Sequence, residues 1–407
     1  MKKENILKLV KTSTLAVLIL IILNIFTFPI YGQEADKGFL KFISVIQGAG
    51  APDFLKGASD VFVSGTKAYI AAPGDNAMTI VDISDPKAPR FEGSVSGAGD
   101  PNYLGGISKL FVAGKYCFAV SYNDNAFVVI DCTDTKAPKI KAVIKGAGSP
   151  NYLKGAKDVF VEGKYAYVVS ALDNALVMVN ISSPSTPKVE GAISGAGSGK
   201  YLGGASGIFE KDGWAYVASA KDNALVIFNT GNPAKIEFAG AISGAGTPNY
   251  LGGAKSVFLK GNIAYVASSA DNALSVININ DPHHPSLEDV IKGTGVQNYL
   301  QSPQAVFVRE NNVFVISEKS NSLAAFDISN PSKPKLISSL QGMGSPNFLG
   351  KPAGLFVSGK YVFVTTSGDN SLSIFETNIG ISGNENTTSE NVTSLRKWLR
   401  IHNPYSI

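Results

Sequence analysis

Histidine, cysteine and tryptophan are scarce in this chain of 407 residues, at three, two and two. That scarcity leaves little material for Cys/His metal centres or for the nucleophile–histidine pairs of acyl transfer. His283 and His284 adjoin each other, and His402 lies near the C-terminus; no zinc-ligand spacing or Ser/His/Asp set is visible. Charge is sparse as well, at 17% of residues. Lys and Arg number 36 against 32 Asp and Glu, and no basic stripe marks a nucleic-acid surface. Helical periodicity of useful length is missing from the body of the chain.

What is abundant is glycine, at 42 residues, and it falls at a regular spacing rather than in low-complexity runs. Phe62, Phe111, Phe160, Phe209, Phe258, Phe307 and Phe356 recur every 49 residues without insertion. Asn76, Asn125, Asn174, Asn223, Asn272, Asn321 and Asn370 keep the same period, as do seven leucines from Leu55 to Leu349. A G-x-G tripeptide also recurs seven times, from Gly48 to Gly344. Several motifs in one register, seven times over, define a repeat protein.

Each repeat holds four short β-type runs. In the third copy these are Lys157 to Val161, Tyr165 to Ser170, Ala175 to Ile181 and Lys188 to Ile193, separated by turn-forming Gly, Asn, Asp and Pro. Four strands per repeat of this length predict the blade of a β-propeller. A fourth-type strand precedes the first repeat, at Phe39 to Ile46, and none follows the last third-type strand, Ser371 to Phe375. The N-terminal strand is therefore expected to complete the last blade and close an all-β ring of seven blades and 28 antiparallel strands, with no open sheet edge.

Three segments follow. Residues 1–35 read as a signal peptide or signal anchor: four lysines, an apolar run from Leu15 to Phe28, then Pro29 and a small residue at Gly32. Residues 36–377 form the propeller. Residues 378–407 read as a flexible tail whose Leu395 to His402 is a short basic amphipathic segment. The expected location is extracellular or at the cell surface. Membrane contact would come only through an uncleaved N-terminal segment or the tail, and a monomer is expected.

The candidate site residues come from the positions that vary or carry charge. Asp75, Asp124, Asp173, Asp222, Asp271 and Asp369 share one place in the repeat, with Ser320 interrupting them. Six acids on one rim would suit calcium or a basic partner; capping of each turn by its own Asp is the competing reading. At the start of each inner strand stand Asp60, Lys109, Asp158, Gly207, Ser256, Ala305 and Gly354. Lys109 between Asp60 and Asp158 is a cluster of broken symmetry at the funnel mouth, and ion pairs lining a wet channel are its plainer reading. Cys117 and Cys132 fall on adjacent strands of one hairpin. They could form a disulfide in an oxidising compartment, or simply replace the packed side chains of sister repeats. The phenylalanines are expected to pack between blades.

The third strand and its exit read A-M-T-I-V-D-I-S-D-P from Ala77 to Pro86 and S-L-A-A-F-D-I-S-N-P from Ser322 to Pro331. This resembles the LVIVD repeats of bacterial and archaeal surface proteins and, more distantly, the YVTN repeats of surface-layer proteins. Copies four and five depart from it, with Phe228-Asn229 and Ile277-Asn278 in place of Val-Asp. The resemblance implies an exported β-propeller and no particular activity. The functional expectation is a surface or secreted module that binds a protein or glycan. The alternative is a hydrolase or lyase with its site in the funnel. Near-identical blades favour binding, because an enzyme usually needs one blade to differ.

Overall fold

The computed structural model describes residues 38–293 and 298–379. Residues 1–35, read above as a signal segment, and Leu395 to His402, read as a basic amphipathic segment, lie outside the described residues. Twenty-eight strands assemble into seven four-stranded antiparallel sheets, and no helix occurs among the described residues. The chain is a seven-bladed β-propeller.

In blade 3 the strands are Ala156–Glu162, Tyr165–Ser170, Ala175–Asn180 and Lys188–Ser194, in that order from the inside outwards. The two middle strands of each blade are buried on both faces: Tyr165–Ser170 and Ala175–Asn180 each leave only one end position less than fully covered. This explains why they read as continuous apolar runs rather than as an alternating pattern. Their side chains meet those of the next blade. One apolar cluster joins Tyr69, Met78 and Ile80 of blade 1 to Leu110, Val112 and Val128 of blade 2. Another joins Phe363, Leu372 and Ile374 of blade 7 to Val61, Ile70 and Val81 of blade 1. Stability thus resides between blades, at about 1.5–3 kcal/mol for each fully buried aliphatic or aromatic side chain.

The ring closes as expected. Leu40–Gln47 pairs with Ser371–Thr377, with Phe42 opposite Phe375 and Gln47 opposite Ser371, so the N-terminal strand is the outer strand of blade 7. All seven repeat leucines, from Leu55 to Leu349, are fully buried beneath the links between blades.

The disulfide is not formed: Cys117 and Cys132 are both free and buried. Cys117 lies opposite Ile130 in the ladder, and Cys132 follows the strand end at Asp131. The two are diagonal rather than facing neighbours, and diagonal pairs stand roughly 7–8 Å apart, beyond ordinary disulfide reach. Both pack into the core between blades 1 and 2.

Candidate functional site

The repeated polar motifs gather on one rim, where they hold the backbone. Asp124 Oδ2 accepts the N–H groups of Gly99 (2.8 Å) and Gly105 (2.6 Å), both in the link that enters its own blade. Asp173 does the same for Gly148 and Lys154, Asp222 for Gly197 and Gly203, and Asp271 for Gly246 and Gly252. Asp75 and Asp369 repeat the pattern. A Cβ added at Gly105 would lie 2.6 Å from the Asp124 carboxylate, so only glycine admits the carboxylate so close to the link. In blade 6 the hydroxyl of Ser320 meets that of Ser322 instead.

The neighbouring asparagines couple blade to blade. Each holds φ between 48° and 52°, a left-handed turn conformation that Asn tolerates. The Asn76 Oδ1 accepts the N–H of Gly106 in the next link at 2.9 Å, and the same bond recurs around the ring to Asn370 and Gly57 at 2.8 Å. Six of the seven aromatic residues before the repeat leucines, such as Tyr103 (φ 52°) and Phe348 (φ 48°), share the left-handed conformation. Bulky side chains rarely take it, and nothing in their sequence points to it.

Symmetry breaks in the centre. The inner strands surround a cavity of about 420 Å³. The seven phenylalanines line this cavity and also pack against the cores between blades, Phe160 as a member of one such core and Phe62 against another. Along each inner strand side chains alternate: Val61 and Val63 enter the inter-blade core, so Phe62 turns with Asp60 towards the axis. The rings form a closed collar, with neighbouring centroids 4.7 Å apart from Phe62 to Phe111 and 4.8 Å from Phe356 back to Phe62. The other five separations lie between 4.7 and 5.3 Å. Such a heptagon puts each ring roughly 5–6 Å from the axis and leaves an opening about 5 Å wide after allowance for the rings themselves.

On one side of the collar lies the charged cluster. Lys109 Nζ donates to Asp60 Oδ1 at 2.7 Å, and Asp60 Oδ2 accepts the Leu110 N–H at 3.0 Å. Asp158 accepts the N–H groups of Val159 and Ile208 and makes no direct bond to Lys109. Burial pushes Asp158 up to about 6, although Lys109 pulls it back. Burial also opposes the Lys109 ammonium, but Asp60 and Asp158 outweigh it and hold Lys109 above its ordinary value. Lys109 is thus paired with one acid and near a second, which titrates close to neutrality.

On the other side of the collar the sister positions are Ser64, Ala113, Glu162, Lys211, Lys260, Arg309 and Ser358. Arg309 lines the cavity. A comparison of this position across copies would have found it, because it is the only arginine among the seven. A second departure is Glu210, buried where the sister residues are Val63, Val112, Val161, Leu259, Val308 and Val357. Its Oε1 accepts the Gly213 N–H at 2.7 Å, and burial pushes its carboxyl up to about 7. Among the described residues no group of three or more His, Cys, Asp or Glu converges as a metal would require.

The model of the LVIVD repeat matches residues 57–96, 155–193, 251–291 and 302–341, which fall in blades 1, 3, 5 and 6. The match includes the copy with Ile277-Asn278. No curated protein matches the sequence. Among solved structures, a functionally unknown protein from Desulfotomaculum acetoxidans is 15% identical, with TM-score 0.59 over 78% of this chain and 93% of its own. Virginiamycin B lyase from Staphylococcus aureus is 12% identical, with TM-score 0.59 over 83% and 99%. BamB from Moraxella catarrhalis is 10% identical, with TM-score 0.50 over 83% and 97%. At such identities the likeness is one of fold. Four of the seven blades match the LVIVD repeat, and the chain folds as a seven-bladed β-propeller.

Proposed function

We propose that the protein is exported and acts, at the cell surface or after secretion, as a binding module whose ligand enters the central cavity. The observation that carries this reading is where the repeats differ. The rim acids and asparagines are nearly invariant and occupied with backbone N–H groups, whereas charge and size vary among the residues facing the axis. Selectivity requires a few distinctive groups in a concave, mostly apolar site. Asp60, Lys109, Asp158 and the phenylalanine collar meet that description. The one hydroxyl among the residues lining the cavity, Ser256, has no histidine among them to activate it, which favours binding over serine-type catalysis.

The test is a screen of the purified protein against small organic ions, glycans and cell-wall polymers by thermal shift and calorimetry. A Lys109→Met/Asp158→Asn variant alters the funnel, and a Tyr103→Ala/Tyr152→Ala variant alters the rim surface. A ligand lost by the funnel variant and kept by the rim variant supports the reading. The reverse pattern moves the site to the rim and overturns it. Export is tested separately by protease treatment of intact bacteria expressing the full chain, where complete protection would contradict it.

A further inference from the structure

The channel has a second end, whose chemistry differs from that of the Asp60 mouth. Three cations stand there on consecutive blades, and two are already engaged. Lys211 Nζ donates to the Gly261 carbonyl at 3.0 Å. Lys260 Nζ donates to the Glu310 carbonyl and, at 2.6 Å, to Asn311 Oδ1. Each lysine therefore reaches the turn of the following blade. Arg309 does not follow them: its side chain makes no hydrogen bond or ion pair among the described residues, and its Nε is buried without a partner. A guanidinium carries five donors in a planar fork, and a buried donor left unpaired is costly. Arg309 is also the cation of this layer that lines the cavity.

Phe307 lies two residues away on the same strand, about 7 Å along the axis. The free fork thus borders an apolar collar whose opening, about 5 Å wide, admits an extended alkyl chain but is tight for a sugar or a flat fused ring system. We propose that the central cavity binds a straight-chain carboxylate, with the carboxylate on the Arg309 guanidinium and the chain threaded through the phenylalanine collar towards Asp158. This rests on the reading of the cavity as the binding site and adds the class and orientation of the ligand. A carboxylate matches the guanidinium in two parallel charge-assisted hydrogen bonds. The opposite orientation is disfavoured, because the one cation at the other mouth, Lys109, is already held by Asp60, and the Nε of Arg309 would stay without a partner.

The experiment is isothermal calorimetry of the full-length protein with octanoate, octanol, octylamine and acetate at submicellar concentration. The variants are Arg309→Gln, Arg309→Lys and Phe307→Ala, each checked for its β-sheet circular dichroism. Octanoate is expected to bind. Octanol and acetate, lacking the anion and the chain respectively, should bind at least tenfold more weakly. Arg309→Gln should weaken octanoate at least tenfold, with Arg309→Lys falling between, because charge without the fork is a partial substitute. The Phe307→Ala variant keeps the charge and should also bind more weakly. If octylamine binds and octanoate does not, the cavity remains the site but the anion assignment is overturned. If none of the probes binds, or if Arg309→Gln binds octanoate as well as wild type, the proposal fails outright.

Discussion

The Asn370 Oδ1 accepts the N–H of Gly57 at 2.8 Å, a hydrogen bond spanning 313 residues that joins the last blade to the first. Six equivalent bonds join the other blades, so ring closure uses the same device as every internal junction. Asn370 also sits at φ 49°. Asn370→Gly keeps that conformation and loses only the bond, for an expected loss of about 1 kcal/mol. Asn370→Ala adds the cost of a Cβ in the left-handed region and should lose roughly 2–3 kcal/mol. Urea denaturation of the two variants checks the order; equal effects would mean that the bond, not the backbone, dominates.

The rim carboxylates make a related prediction. Asp124 uses one oxygen for two backbone donors and fits against Gly105 without a gap. Asp124→Ala should lower the melting temperature clearly, whereas Asp124→Asn keeps an acceptor oxygen and should lower it less. Gly105→Ala, which displaces the same carboxylate, should destabilise too, and the double variant with Asp124→Ala should cost less than the sum. If these acids serve the link rather than a cation, EDTA will leave the melting temperature unchanged. A fall that calcium restores would establish the metal reading.

Much of the architecture is legible in the 49-residue period, because a repeat in which Phe, Asn and Leu hold register seven times admits few topologies. Ring closure was readable for the same reason: the strand at Leu40–Gln47 has no partner within its own repeat. The centre was harder to read. Packing between blades is only half of the environment of Phe62: it shares parity with Asp60 and so also faces the axis. Arg309 stands at the last position of its inner strand, where only a comparison of all seven copies reveals it as the one arginine. Which oxygen of Asp124 meets which N–H is not encoded in any short pattern, since it depends on a link folding back over the turn 19 to 25 residues later.

Cys117 and Cys132 test the packing account of the core. Burial raises the Cys117 thiol well above its ordinary value, and burial with the nearby Asp131 carboxylate pushes Cys132 up to about 12. Neither is a thiolate at neutral pH, and both are covered. The native protein should therefore react with neither equivalent of a thiol reagent at pH 8 and should react with two after denaturation. Cys117→Ala/Cys132→Ile installs residues found at sister positions and should leave the fold intact. An unreactive denatured protein whose mass is two hydrogens short would reveal a disulfide instead.

Glu210 gives the protein a pH dependence that the aliphatic residues at its sister positions cannot supply. Its carboxyl is buried among aliphatic positions, 4% exposed, with one oxygen on the Gly213 N–H and the other unpartnered. The charged groups acting on it are Glu162 and Asp212, both acidic, and the hydroxyl-bearing rings of Tyr167 and Tyr216 lie close enough to sense it in turn. Desolvation and these acids favour the neutral form and raise the carboxyl from 4.5 to about 7. A raised folded-state pKa means that the folded protein holds its proton more tightly than the unfolded chain. The stabilisation is complete below about pH 4.5, declines as pH rises, and is lost once pH passes about 7; the full span is of order 3 kcal/mol. Glu210→Leu, matching Leu259 of the next blade, should remove this part of the slope, leaving that of Asp158, and be more stable than wild type at pH 8. Denaturant unfolding between pH 5 and pH 8 measures both effects. Parallel curves for the two proteins would mean that Glu210 ionises in the fold as readily as in the open chain, and that the inter-blade core admits water at this point.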